Sequence, residues 1–196
     1  MIHIGQINAT IDAPLEHLMA CHRRIEERLA TLVRAADHLR ADRPAALEAI
    51  RKSILFLDSS GVLHTMDEEE SLFPRLRSHL TPEELCHLDG LEEQHRAAEF
   101  VFTELKHVAG ELAVAADNST SLESHYRELA ARLSALYRPH IRSEDEILVR
   151  LARRILTADQ LKAITKEMQG RRERRAHPPT LAASDGGATA RADLRL

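Results

Sequence analysis

The chain has 196 residues, 43% of them hydrophobic, which is enough for one apolar core and a tail. The formal net charge of −4 argues against a nucleic-acid-binding protein, and the two cysteines form neither a disulfide framework nor a CxxC zinc pattern. There is no signal-peptide pattern and no run of about 18 apolar residues that could span a membrane, so we expect a soluble cytoplasmic protein.

The N-terminal part of the chain predicts two helices. Apolar residues recur every three or four positions between Leu15 and Leu39, which is the stripe of a bundle helix, and Pro14 suits its first turn. The same spacing predicts a second helix that ends near Leu80. Pro74 is expected to kink the last turn of this second helix, because proline lacks the backbone N–H that the helix needs.

Two further long helices follow in the sequence. Thr81 provides an N-cap with a proline and two glutamates after it, and the apolar stripe of the third helix continues to Leu112. The fourth stripe extends from Leu122 to Leu151, with a bend expected at Pro139.

The C-terminal part predicts one shorter helix and a tail. Thr157 caps the short helix, which we expect to end near Met168. From Gly170 onwards the composition becomes rich in arginine, glycine and small residues, which indicates a disordered basic tail over residues 171–196. The prediction is an all-α protein: an up-down-up-down four-helix bundle with a short extra C-terminal helix, forming one domain over residues 12–170.

A histidine interrupts each of the four long apolar stripes near its middle. These four histidines are His22, His64, His95 and His140. Glu68, Glu99 and Glu144 each follow one of these histidines by four positions. Residues four apart stack on one face of a helix, so each pair points in the same direction. A single histidine of this kind is usually a core residue, but four on four helices favour a shared site.

A weak internal repeat supports this interpretation. His22 and His95 lie 73 positions apart in similar segments, and His64 and His140 lie 76 apart. Two similar hairpins related by a pseudo-two-fold axis would bring all four histidines to one level. Imidazole and carboxylate ligands together suit iron, manganese or zinc, and buried carboxylates without a cation would be strongly unfavourable. The pattern therefore predicts a paired-metal site.

The segments CHRRIEERL, HTMDEEESLFPRL, EEQHRAAEF and YRPHIRSEDEIL resemble the hemerythrin-like (HHE cation-binding) family over about residues 12–170. The resemblance implies a non-heme di-iron centre with two iron ions joined by an oxo or hydroxo bridge. It implies these ligands: His22, His64, His95 and His140 as terminal ligands, Glu68 and Glu144 as bridging carboxylates, and Glu99 as a seventh.

Glu99 departs from the family's oxygen carriers, which have a fifth histidine at this position. A carboxylate there would favour Fe(III) over Fe(II), so reversible oxygen carriage is not the expected function. The alternative is that Glu99 is an exposed neighbour of the site and that water fills the seventh position.

Several residues near the site are expected to be bystanders. The acidic residues that follow the two bridging glutamates are interpreted as solvated helix faces: Glu69, Glu70, Asp145 and Glu146. Glu26, four positions after His22, is a weaker candidate ligand. Tyr126 and Tyr137 are expected to pack in the core, although either one could donate a hydrogen bond near the site.

The resemblance implies a protein that binds or reacts with O2, peroxide or nitric oxide in sensing, iron handling or redox handling. One alternative is a di-iron enzyme that consumes peroxide or repairs iron–sulfur clusters; another is a structural bundle that binds zinc or no metal. We expect neither nucleic acid nor membrane as a partner. A single-domain sensor would need a protein partner or self-association to transmit its signal.

Overall fold

The structure is a computed structural model that describes residues 13–115 and 119–177. This part of the chain contains five helices and no strands. The helices are α1 (Pro14–His38), α2 (residues 43–77), α3 (Pro82–Val114), α4 (residues 120–155) and α5 (Ala158–Ala176). The starts of α3 and α5 follow the predicted chemistry, because Thr81 and Thr157 each form a capping box with the residue three positions on.

The first four helices form an antiparallel bundle. Polar contacts join residues near the start of one helix to residues near the end of its neighbour, as antiparallel helices require. These contacts are Glu16–Arg153 and Asp37–Arg127 between α1 and α4, Arg77–Asp89 and Asp58–Lys106 between α2 and α3, and Glu84–Arg154 and Glu104–His125 between α3 and α4. The predicted all-α, up-down-up-down bundle with an extra C-terminal helix is therefore confirmed.

The apolar core is divided into two clusters by a polar layer. One cluster includes Ile25, Leu105 and Leu133 and lies toward one end of the bundle. The other includes Leu18 and Leu91 and lies toward the opposite end, where α5 packs. The four stripe histidines occupy the layer between them and are themselves buried. Since a buried polar layer is unfavourable unless its groups are paired, the residues in this layer require a partner.

Both α2 and α4 contain π-helical turns next to the polar layer. In α2 the turns are Leu57–Gly61 and Asp67–Leu72, and in α4 the turn is Glu144–Leu148. The second of these ends just before Pro74, which lacks the N–H that would continue the hydrogen-bond ladder. Two of the three turns contain the predicted bridging glutamates, consistent with the tendency of π turns to occur at functional sites.

The fifth helix is longer than its sequence suggested. It continues to Ala176 instead of ending near Met168, so residues 171–176 do not belong to the predicted disordered tail. The reason is that Arg171 is only 6% exposed and pairs with Asp67 of α2, a partner that local composition cannot reveal. The rest of that tail, from residue 178, lies outside the described residues. Within the described part of the chain, no helix is long and apolar enough to cross a membrane.

Candidate metal centre

Each of the four bundle helices contributes one buried histidine to the polar layer. The exposed fractions of His22, His64, His95 and His140 are 1%, 3%, 7% and 3%. The rings form two close pairs, with ring centroids 4.6 Å apart for His22 and His64 and 4.5 Å apart for His95 and His140. The predicted convergence of the four histidines is therefore observed.

The polar layer contains two groups of metal-ligand atoms that share one carboxylate. The first group is His22, His64, Glu68 and Glu144, and the second is His95, His140 and Glu144. Within each group the ligand atoms lie within 4.8 Å of one another. Glu144 Oε2 is 3.1 Å from His22 Nε2, and Glu144 Oε1 is 3.2 Å from His140 Nε2. One carboxylate thus presents an oxygen atom to each group, as a bridging ligand does.

Glu68 also lies between the two groups. Its Oε2 atom is 3.4 Å from His64 Nε2 and 3.5 Å from His95 Nε2, and its Oε1 atom is 3.7 Å from His22 Nε2. Glu68 of α2 and Glu144 of α4 therefore face each other across the centre.

The polar atoms that face the centre are buried and lack hydrogen-bond partners within the described residues. They include Nε2 of His22, His95 and His140, together with both carboxylate oxygens of Glu68 and Glu144. Two buried carboxylates whose oxygens accept no hydrogen bond are strongly unfavourable unless a metal ion or a protonated imidazole balances their charge. Imidazole nitrogen and carboxylate oxygen are a donor set that iron, manganese and zinc accept, so these residues fit a pair of divalent or trivalent metal ions.

Hydrogen bonds on the outer nitrogens orient three of the four imidazoles. The Nδ1 atoms of His22 and His95 lie 2.7 Å from Asp145 Oδ1 and 2.8 Å from Glu69 Oε1, and His140 Nδ1 lies 3.0 Å from Gln94 Oε1. When Nδ1 carries the proton, its N–H group donates to the oxygen, and Nε2 is free to bind a metal ion.

Two of these orienting residues have a role that the sequence analysis did not predict. Glu69 and Asp145 are partly solvated, as expected, with 37% and 38% of their side chains exposed, but each also contacts a histidine of another helix. Their positions in the sequence were the available signal: each directly follows a predicted bridging glutamate, and the two lie 76 positions apart, as the repeat requires. Gln94 gave no such signal.

The charges of the metal-free cluster are strongly coupled. Burial alone would lower the pKa of His22, but Glu144 and Glu68 raise it to about 11. Burial and the neighbouring Glu144 charge raise the pKa of Glu68 to about 7. Burial lowers the pKa of His140 to about 4. A proton on His22 therefore balances the carboxylates when no metal is bound, and a metal ion must displace it.

Glu99 is the one predicted ligand that the structure does not bring to the centre. Its side chain is exposed and belongs to neither group of ligand atoms. Ala98 takes the buried position on that turn of α3. Glu26, the weaker candidate, is also exposed.

A cavity of about 180 Å³ reaches the centre beside His95. Its wall is mixed: Thr65, Glu69, Arg96 and Glu99 contribute polar or charged groups, and the apolar part consists of Leu57, Gly61, Val62, Met66, Phe102 and Leu133. Tyr137 also lines it, with its ring centroid 5.9 Å from that of His140. Burial, followed by the charge of Glu144, raises the pKa of Tyr137, so its phenol stays protonated at neutral pH. Tyr126, in contrast, is fully buried in the core as expected.

Comparison with known proteins agrees with this geometry. A family model described as the Hemerythrin HHE cation binding domain matches residues 13–152, a segment that contains the whole polar layer. No curated protein matches the chain at a significant level.

Proposed function

Because the chain belongs to the Hemerythrin HHE cation binding domain family, we propose that its polar layer binds two iron ions and that this centre binds or reacts with O2, peroxide or nitric oxide. The observation that supports the proposal most is the pair of buried histidine–glutamate groups that share Glu144.

The proposed assignment gives each iron ion two histidines. His22 and His64 bind the first ion, His95 and His140 bind the second, and Glu68 and Glu144 lie between the two. Histidine nitrogen and carboxylate oxygen together form a ligand set that suits iron, and a position that they leave open is available to a small molecule. Glu99 remains a proposed seventh ligand; its exposed side chain would have to rotate toward the second ion, and water takes that position if it does not.

The residues around the cavity determine what reaches the centre. The apolar part of the lining suits small neutral molecules, and the charged part, which includes Arg96 and Glu99, belongs to the same wall. Glu69 and Asp145 hold the imidazoles in the tautomer that binds metal. Bound iron supplies the electrons or the open coordination position that a small oxidising molecule requires. The proposed role is sensing, iron handling or redox handling.

The first test is the metal content of protein purified from iron-supplemented cells. Elemental analysis is expected to find about two irons per chain, and His64→Ala and Glu144→Ala are expected to reduce this content. His107→Ala is a matched control, because His107 is an exposed histidine of α3 outside the polar layer. A folded protein that cannot be loaded with iron or manganese contradicts the proposal. Two zinc ions per chain instead of iron would contradict the di-iron assignment alone.

The second test concerns the small molecule. Reduced, iron-loaded protein is mixed with O2, hydrogen peroxide or nitric oxide, and the reaction is followed by optical absorption. One equivalent consumed per centre indicates a binding protein or sensor, whereas repeated turnover indicates an enzyme. An absorption spectrum that none of the three molecules changes would contradict the proposed reactivity.

A further inference from the structure

The fifth helix contacts the π turn that carries Glu68. Asp67, which directly precedes Glu68, is fully buried. Arg171 Nε donates to Asp67 Oδ1 at 2.9 Å, and Arg172 Nη2 donates to Asp67 Oδ2 at 2.7 Å. Both oxygens of this carboxylate are therefore held by α5.

Further bonds attach α5 to the same turn. Arg171 also donates to Ser71 Oγ and, at 3.3 Å, to Glu70 Oε2. We call Asp67, Glu70, Ser71, Arg171 and Arg172 the Asp67 network. A second ion pair, between Arg75 Nη2 and Glu167 Oε1 at 2.6 Å, lies next to this network and joins the same two helices.

The π turn Asp67–Leu72 presents different residues to its two sides. Glu68 and Glu69 face the histidines, as a candidate ligand and as the acceptor for His95. Asp67, Glu70 and Ser71 face α5. Residues on both sides of Glu68 are thus bound through their side chains to arginines of the fifth helix.

The second half of the bundle holds its π turn differently. The position that corresponds to Asp67 in the repeat is Ser143, 76 residues later. Ser143 Oγ hydrogen-bonds to His87 Nε2 of α3 at 2.8 Å, so the Glu144 turn is held from within the bundle. Of these two turns in the described part of the chain, the one that carries Glu68 is hydrogen-bonded to α5. The fifth helix therefore makes the two ends of the pseudo-symmetric centre unequal.

We propose that Arg171 and Arg172 are positioning residues for Glu68, and that docking of α5 is coupled to metal binding at the centre. The inference rests on the proposed function. Such a coupling is reciprocal: if docked α5 strengthens metal binding by some factor, bound metal strengthens the docking of α5 by the same factor. The C-terminal helix is then the element that responds to occupancy of the centre.

The positioning role is tested with Co²⁺, whose visible absorption reports ligand geometry. Metal-free wild type, Arg171→Met and Arg172→Met are titrated with Co²⁺. Arg174→Met is the matched control, since Arg174 is an exposed arginine of the same helix. Loss of a group that is hydrogen-bonded to a ligand typically lowers metal affinity about 10- to 100-fold. Because the two arginines act on Glu68 through its neighbours, we expect at most about 10-fold, together with a changed Co²⁺ spectrum. Arg171→Lys, which keeps the charge, is expected to restore part of both.

A merely structural role would give a different result. Thermal unfolding of the metal-free variants measures the loss of stability separately from the loss of affinity. If Arg171→Met and Arg172→Met match Arg174→Met in Co²⁺ affinity and spectrum, the positioning role is refuted, whatever their melting temperatures.

The coupling is tested on the wild-type chain, so it does not depend on any variant folding. Backbone hydrogen exchange in α5 is measured with and without Co²⁺, and bound metal is expected to slow it. In Glu144→Ala, which should not hold the pair of ions, this slowing is expected to disappear. If wild type binds two Co²⁺ ions and exchange in α5 is unchanged, the coupling is wrong while the metal centre stands. If wild type binds no Co²⁺, the exchange measurement is repeated anaerobically with Fe²⁺, and a chain that binds neither ion contradicts both proposals.

Discussion

The substitution Asp145→Asn is expected to weaken metal binding much more than it weakens the fold. Asp145 Oδ1 accepts from His22 Nδ1 at 2.7 Å, and its charge makes the opposite nitrogen, Nε2, a stronger ligand. Asparagine keeps a hydrogen-bond acceptor but removes the charge. Loss of such a partner weakens metal binding about 10- to 100-fold, which corresponds to about 1.4 to 2.7 kcal/mol, and we expect the asparagine variant near the lower value.

The expected effect on folding is smaller because the Asp145 side chain is 38% exposed. Exposed ion pairs contribute at most about 1 kcal/mol to the free energy of unfolding. Glu69→Gln is the equivalent change on the other side of the centre, where Glu69 Oε1 accepts from His95 Nδ1 at 2.8 Å and the Glu69 side chain is 37% exposed. The two variants should therefore behave alike.

The assay is an anaerobic titration of metal-free protein with Fe²⁺, combined with thermal unfolding of the same samples. Glu146→Gln is the matched control, because Glu146 is an exposed acidic residue of the same π turn as Asp145. If Asp145→Asn and Glu69→Gln bind Fe²⁺ as tightly as Glu146→Gln does, these carboxylates do not tune the ligands and the reasoning is refuted.

Three further predictions follow from the site and its surroundings. Glu144→Ala removes the carboxylate shared by both ligand groups, so elemental analysis should find less than about one iron per chain; Glu99→Ala should keep about two, and an equal loss in both variants would contradict the assignment. Tyr137 lines the cavity beside the centre, and we expect its hydroxyl to donate a hydrogen bond to bound nitric oxide. Tyr137→Phe should therefore leave the iron content unchanged but speed nitric oxide release about 5-fold in stopped-flow experiments, since one hydrogen bond contributes about 1 kcal/mol, and an unchanged rate would exclude this hydrogen bond. Burial, and next the charge of Arg172, lower the pKa of His17 from 6.5 to about 4. Because the unfolded chain takes up a proton on His17 more readily than the folded protein does, the free energy of unfolding is highest above pH 6.5 and decreases as the pH falls toward 4. In thermal unfolding of metal-free protein, His17→Gln should reduce this acid-induced fall in melting temperature by a few degrees, and an equal fall would contradict the shift.

The helical bundle could be predicted from sequence because its determinants are local and periodic. Apolar residues at spacings of three and four define the buried face of each helix, and a histidine on that face must enter the core. Thr81 and Thr157 could be predicted as helix caps because capping also depends on residues close by in the sequence. The internal repeat also predicts that the four histidines lie at one level of the bundle, so the centre of the candidate site could be predicted from the sequence as well.

The features that were missed depend on distant partners or on small backbone changes. Arg171 lies 104 residues from Asp67, and nothing in the composition around Gly170 reveals that pairing. The predicted bridging glutamates lie in π turns, whose wider backbone turn the apolar spacing does not reveal. Glu69 lies in one of these turns, where it both faces solvent and contacts His95. Glu99 was taken from the family pattern at a position where this chain differs, and the structure leaves its side chain exposed.

A Mössbauer spectrum of protein loaded with ⁵⁷Fe and oxidised in air, compared with its EPR spectrum, tests the central claim most directly. Two ferric ions that share Glu68 and Glu144 should be magnetically coupled, so the sample should be EPR-silent and its Mössbauer spectrum should show quadrupole doublets without magnetic splitting at low temperature. EPR signals of isolated high-spin ferric ions, in proportion to the iron bound, would contradict a di-iron centre in this polar layer.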